Sequence, residues 1–198
     1  MMRAFVGIAL PAGVRDVLVA LQRELSQSQA DVKWVEPENL HFTLKFLDEI
    51  SEDQRQEVER MLGRIAAQAT PFPIQLTRLG AFPSLTAPRV VWVGMSEGKE
   101  PLTRIAQAIE EGARAMGLRR EERPFASHLT LGRVRSPQRR EELAQRLRTL
   151  QWTAPPAWQV SAITLYQSVL NSSGPHYGML ADIPLGETRD RRHETGAQ

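Results

Sequence analysis

Two hydrophobic periods recur along this chain and mark out its elements. Residues 3–10, Arg3-Ala4-Phe5-Val6-Gly7-Ile8-Ala9-Leu10, are a largely apolar run that reads as a first core strand. Pro11 then opens a helix with Val14, Leu18, Leu21 and Leu25 at helical spacing, ending near Ser28. After residues 32–35 and the turn Glu36-Pro37-Glu38-Asn39, residues 40–47 alternate as a second strand. Ser51 caps a helix that reaches about Ala67. Residues 73–79 and 89–94 read as a hairpin across the connection 82–88. A helix over 99–116 is closed by Gly117. A strand over 127–134, a helix over 137–150 and strands over 158–169 and 177–183 complete the order.

Strands and helices alternate twice in similar order, and no short repeat of the solenoid kind is present. The pattern predicts an α+β chain of two related lobes, with mostly antiparallel sheets facing each other across a cleft and helices outside. Residues 1–187 are expected to form this one domain. Residues 188–198 are charged and free of aromatic residues, which predicts a disordered tail.

At 198 residues and 41% hydrophobic content, the chain can bury a core without staples. It has no cysteine, which excludes disulfides, thiolate catalysis and cysteine-ligated zinc. No apolar run approaches the roughly 20 residues of a membrane-spanning helix, and Pro11 ends the opening run too early for a signal peptide. The expectation is a cytoplasmic monomer. Net charge is only +2, but 22 arginines stand against three lysines, and arginine's planar fork suits phosphate. Ten of those arginines fall in residues 114–148, whereas residues 48–59 are acid-rich. Solvated helix faces account for both stretches equally well.

The chemistry lies in a pair of matched tetrapeptides, His41-Phe42-Thr43-Leu44 and His128-Leu129-Thr130-Leu131. Chance would give such a pair on the order of once in several thousand chains of this composition. On a strand, His41 and Thr43 share one face while Phe42, Leu44 and Phe46 fill the other; His128 and Thr130 stand likewise against Leu129 and Leu131. Taken singly, each motif reads as a hydrogen-bonded strand histidine beside a β-branched filler. Facing each other, the two make a four-group site suited to displacement at phosphorus. One imidazole takes a proton from water, the other gives one to the leaving alkoxide, and the threonine hydroxyls hold phosphoryl oxygens. A two-histidine metal site is the rival, but neither motif has a carboxylate at ligand spacing. His176 follows the turn 171–175 and His193 lies in the tail, so both are expected to be exposed. No metal or cofactor is expected.

These motifs resemble the two-histidine phosphoesterases, in particular their RNA 2′,3′-cyclic phosphodiesterase branch, also called 2′-5′ RNA ligase-like proteins. The resemblance covers roughly residues 3–183. It is carried by residues 3–11, 41–47 with Glu49, Gly80-Ala81-Phe82-Pro83, Arg89-Val90-Val91-Trp92 and 128–133. It implies a bilobal, pseudo-twofold-symmetric fold and hydrolysis of a terminal RNA 2′,3′-cyclic phosphate, on a tRNA fragment for example, to a 2′-phosphomonoester. By resemblance His41 is the proton donor, His128 the proton acceptor, and Thr43 and Thr130 the phosphate binders. Two departures flank the motifs: Ser127 stands where the family often has proline, and Asp48 where it often has glycine.

Arg133 is a further phosphate contact by resemblance, although strict alternation from His128 turns it to the opposite face unless the strand bulges at Gly132. Phe42, Phe82 and Trp92 are candidates for stacking on a terminal base. Of these, Phe42 is expected in the core and Trp92 is open to the role. Two other functions use the same residues: 2′-5′ RNA ligation, with a ribose hydroxyl in place of water, and a non-catalytic RNA-binding module.

Overall fold

A computed structural model describes residues 1–171 and 174–186; the expected tail, His193 included, lies outside the described residues. The elements are β1 (Met2–Ala9), α1 (Ala12–Ser26), β2 (Val32–Trp34), a 3-10 turn (Pro37–Asn39), β3 (His41–Ile50), α2 (Glu52–Ala66), β4 (Phe72–Phe82), β5 (Val90–Glu97), α3 (Lys99–Ala115), β6 (His128–Val134), α4 (Arg140–Thr149), β7 (Trp158–Val160), β8 (Ala162–Asn171) and β9 (Gly174–Pro184). One sheet has the order β3-β1-β8-β9 and the other β2-β6-β5-β4-β7, with every pair antiparallel. The fold is thus the expected bilobal α+β arrangement.

The two lobes are not the two halves of the chain. β1-α1-β3-α2-β4 and β5-α3-β6-α4-β8 are the corresponding runs, and each sends its last strand into the other run's sheet: β4 lies beside β5, and β8 beside β1. Helices cross over as well. α1 follows β1 but bonds to the second sheet through Gln22, and α3 follows β5 but packs on β3 and α2. Helix–helix approach is close there, since a Cβ on Gly112 of α3 would meet Met61 Sδ of α2 at 2.3 Å.

The helices are amphipathic for the reason their spacing predicts. Val14, Leu18, Leu21 and Leu25 of α1 are buried, as are Val58, Met61 and Leu62 of α2 and Leu102, Ile105 and Ile109 of α3. Ser51 caps α2 in a full capping box with Gln54. Two expected elements differ. The strand read over 158–169 is two strands in different sheets, β7 on β4 and β8 between β1 and β9. The chain changes sheets at Ser161, and Val160 and Ile163 on either side are both buried, so the crossover leaves no polar gap long enough to read as a turn. α4 starts at Arg140 rather than Pro137, because Arg139 adopts a left-handed φ of 50° that keeps the chain in a turn.

β3 does not alternate along its whole length. Gly7 pairs with Thr43 but Val6 with Lys45, so Leu44 is an extra residue, and a second irregularity follows at Leu47. The first bulge reverses the faces. Phe46, expected in the core, turns out of it and is 53% exposed, while Lys45 turns inward and is 2% exposed. The buried Lys45 ammonium pairs with Glu110 of α3 at 2.6 Å and donates to the Arg119 carbonyl at 2.9 Å; Glu110 also accepts the Glu121 amide at 3.1 Å. The long connection from α3 to β6 is fastened to β3 by these bonds. Asp48, just beyond, has a φ of 56°, the left-handed region that explains why glycine suits this position.

Removing Glu110 leaves the Lys45 charge buried without its partner. Glu110→Ala should therefore destabilise the protein by about 3 kcal/mol in denaturant titration at neutral pH, and adding Lys45→Met should recover much of that loss.

Candidate active site

His41 opens β3 and His128 opens β6, and these two strands, from different sheets, bring Cα atoms within 8 Å of each other. Phe42, Leu44, Leu129 and Leu131 are buried, so each motif is anchored by one face and presents histidine and threonine on the other. The strands that carry the two tetrapeptides therefore approach each other at the join between the lobes.

Each imidazole is oriented in the same way. His41 Nδ1–H donates to the Asn39 carbonyl and His128 Nδ1–H to the Ala126 carbonyl, both at 2.7 Å and both two residues upstream. A carbonyl only accepts, so Nδ1 carries the hydrogen in each ring and Nε2 is left as the working atom. His41 Nε2 lies 2.8 Å from Thr43 Oγ1, which donates to it when the ring is neutral. Among the described residues Thr130 holds no corresponding bond to His128.

Burial lowers the pKa of both histidines below the ordinary value. For each, the upstream carbonyl opposes this shift, and for His128 the nearby Arg133 charge reinforces it. The strand register puts Arg133 on the same face as His128. Trp92 pairs with Thr130 but Val91 with Gly132, so Leu131 is an extra residue in β6, and Arg133 returns to the His128 side. Gly132 is required there because a Cβ would meet Val32 Cγ1 at 2.7 Å and the Trp34 ring at 2.8 Å. Arg133 also acts on the half-buried Tyr177, together with Arg3, against the burial that raises that phenol's pKa.

Aromatic rings wall both histidines. Trp92 is half-buried and lies flat across Gly80, where a Cβ would meet the indole at 2.2 Å. Phe82 stands edge-on to His128 at 5.0 Å and lies 5.1 Å from Trp92. Phe42 is fully buried and takes no part in the cleft. On the other side Phe5 packs on His41 at 4.7 Å and stacks on Tyr166, and Tyr177 meets His41 edge-on at 5.3 Å. Phe46, Tyr177, Arg3 and Asp48 line a cavity of about 200 Å³ beside this cluster. Tyr166 and Tyr177 gave no local signal in the sequence, because only the pairing of β8 with β1 and of β9 with β8 brings them to His41.

His176 is exposed, as expected. Among the described residues no group of three or more histidine, cysteine or carboxylate side chains is placed to hold a metal ion. The arginine-rich stretch forms no single stripe: Arg114 ends α3, Arg119 pairs with Asp48 and Glu122, and Arg146 of α4 bonds the Glu24 carbonyl and Gln27. A larger open groove of about 620 Å³ between α1 and α4 contains none of the groups around the histidines.

The LigT-like phosphoesterase family model matches residues 8–92 and again residues 93–177. The chain belongs to the LigT-like phosphoesterases. Each match contains one His-x-Thr-Leu motif, in keeping with the two interlaced runs of the LigT-like fold. An RNA 2′,3′-cyclic phosphodiesterase of Methanothermobacter thermautotrophicus is 37% identical over 175 residues, 88% of this chain and 94% of its own length. One of Archaeoglobus fulgidus is 38% identical, over 89% of this chain and 96% of its own. Escherichia coli LigT complexed with 3′-AMP superposes with a TM-score of 0.75 at 28% identity, over 93% of this chain and 98% of that one.

The geometry sets the titration of both rings. In the free protein His41 and His128 should each lose their proton below pH 6.5 in an NMR titration. Arg133→Met should move the His128 midpoint upward and leave that of His41 in place.

Proposed function

We propose that this LigT-like phosphoesterase hydrolyses a terminal RNA 2′,3′-cyclic phosphate to a 2′-phosphomonoester, with His41 and His128 as the proton-transfer pair. The observation that carries the reading is the identical tethering of two imidazoles, each with Nδ1 fixed and Nε2 free to work, on strands that meet at the join of the lobes. Support for the substrate comes from the relatives named RNA 2′,3′-cyclic phosphodiesterase.

In this reading His128, kept neutral by burial and by Arg133, takes a proton from water through Nε2 as the water oxygen bonds to phosphorus. The P–O3′ bond breaks, and His41 gives its Nε2 proton to the departing 3′ oxygen. Burial works against a charged His41, but an anionic phosphate beside it favours the protonated form. Protonation also ends Thr43's donation to Nε2, so the hydroxyl hydrogen is released toward a phosphoryl oxygen and Nε2–H is directed at the 3′ oxygen. Thr130 and Arg133 hold the remaining oxygens, where negative charge accumulates.

In-line displacement separates the two sides of phosphorus. The leaving 3′ oxygen belongs to the terminal nucleoside, so that nucleoside lies on the His41 side, toward the cavity of Phe46 and Tyr177. Phe82 and Trp92 wall the His128 side, from which water arrives, and offer stacking surface to a neighbouring base.

The deciding assay uses an oligonucleotide ending in a 2′,3′-cyclic phosphate, with EDTA present, with and without a strand bearing a 5′-hydroxyl. A 2′-phosphate product in both arms is expected; loss of activity in EDTA, or a joined strand as the main product, overturns the reading.

His41→Ala and His128→Ala should each lower turnover by about 10²-fold to 10⁴-fold. Thr43→Val and Thr130→Val should fold normally and lose roughly 10²-fold each, mainly in kcat, if their donors act on the transition state. The pH dependence of kcat/KM should be bell-shaped. It falls on the acid side as His128 gains a proton and on the alkaline side as His41 loses one. Because both midpoints are lowered, the maximum should lie on the acid side of neutrality.

A further inference from the structure

Gln22 of α1 is a buried polar side chain, 6% exposed, that the proposed chemistry does not use. Its Nε2 donates to two backbone carbonyls, Val35 at 2.8 Å and Leu131 at 2.9 Å. The Leu131 carbonyl accepts a second bond, from the Val35 amide at 2.9 Å. Leu131 is the extra residue of the β6 bulge, the residue that returns Arg133 to the His128 side.

We infer that Gln22 is a positioning residue for the phosphate site, holding the Leu131 carbonyl so that the bulge persists and Arg133 stays beside His128. The inference rests on the roles given above to His128 and Arg133. Leu131 has no partner on β5, and its carbonyl turns instead to the β2 side, where the Val35 amide and Gln22 Nε2 both donate to it. Gln22 adds a second, side-chain clamp to that backbone bond. An amide has two hydrogens, and here they reach the two carbonyls on either side of the β2–β6 junction. No water need enter the core to satisfy them.

What Arg133 does depends on where the bulge holds it. Two residues after Leu131, its backbone pairs with Lys33 of β2 and Val90 of β5. From β4 and β5 His128 is faced by the uncharged rings of Phe82 and Trp92, and among the described residues Arg133 is the charged group that lowers its titration. A displaced Arg133 therefore leaves two signs at once: weaker hold on the phosphate and a His128 that titrates closer to an ordinary histidine. A plain staple between α1 and β6 would leave neither.

The test compares Gln22→Met, Arg133→Met and their double variant by thermal melting, by steady-state kinetics on a cyclic-phosphate dinucleotide and by NMR titration of the two histidines. Gln22→Met keeps the shape of the side chain without its donors. It should raise KM and lower kcat/KM by about 10-fold to 100-fold, the scale of a small misplacement remote from the chemistry. The His128 midpoint should rise as it does in Arg133→Met, the His41 midpoint should stay, and the double variant should show no further rise. If Arg133→Met moves His128 and KM but Gln22→Met lowers only the melting temperature, Gln22 is a staple and the inference is wrong. If Arg133→Met moves neither, the reading of Arg133 fails and the inference falls with it. Should Gln22→Met not fold, Gln22→Asn keeps an amide too short to reach both carbonyls, and the same two readouts decide.

Discussion

An imidazole can serve one proton-transfer role only when one of its nitrogens is fixed, and here a single kind of bond does this twice. Nδ1–H of His41 and of His128 is held by the carbonyl two residues upstream, so everything that fixes those carbonyls fixes the orientation of the two rings. Asn39, which orients His41 through its backbone, is itself buried and donates from Nδ2 to the Pro175 carbonyl at 2.7 Å, at the start of β9. Ala126, which orients His128, ends the connection that Lys45 and Glu110 fasten to β3. Each histidine is thus steadied by a segment remote from its own strand in sequence, and Lys45 lies on the strand of the other motif.

Irregularity in the strands matters as much as regularity. Alternation sets His41 with Thr43 and His128 with Thr130, but strict alternation would have buried Phe46, exposed Lys45 and turned Arg133 away from the cleft. One extra residue in each of β3 and β6 reverses the faces just beyond the motif. The first reversal delivers a cation to the core, where Glu110 meets it, and an aromatic ring to the cleft wall. The second delivers a cation to the cleft. The two lobes have used the same device with opposite results, which is how a pseudo-symmetric frame comes to hold an asymmetric pair of histidines.

Most of the frame was legible because its cues are local. The helices of Val14 to Leu25 and of Val58 to Ala66 declare themselves by spacing, Ser51 by its capping box, and the two motifs by their pairing of residue types. What was not legible depends on partners far along the chain. Nothing near Ser161 says that Val160 and Ala162 belong to different sheets. The bulge at Leu44 is visible only in the register with β1, so Phe46 was placed on the wrong face and the burial of Lys45 was not foreseen. For Arg133 the choice could be framed in advance, since Gly132 marks a place where a bulge is tolerated, but the outcome needed the register with β5. Tyr166, Tyr177 and Gln22 act across separations that no periodicity encodes.

The exchange of strands and helices between the runs has a bearing on how such a chain can have grown and can fail. β4 completes the sheet built by the second run, and β8 completes the sheet built by the first. A duplicated ancestor would have closed this way as a pair of identical chains, each lending a strand to its neighbour, before a link joined them. The same lacing means that neither run, cut free between β4 and β5, carries a whole sheet with its covering helices. Partial chains would expose bare strand edges and seek those edges in other copies, so the form that hazard takes here is exchange between molecules.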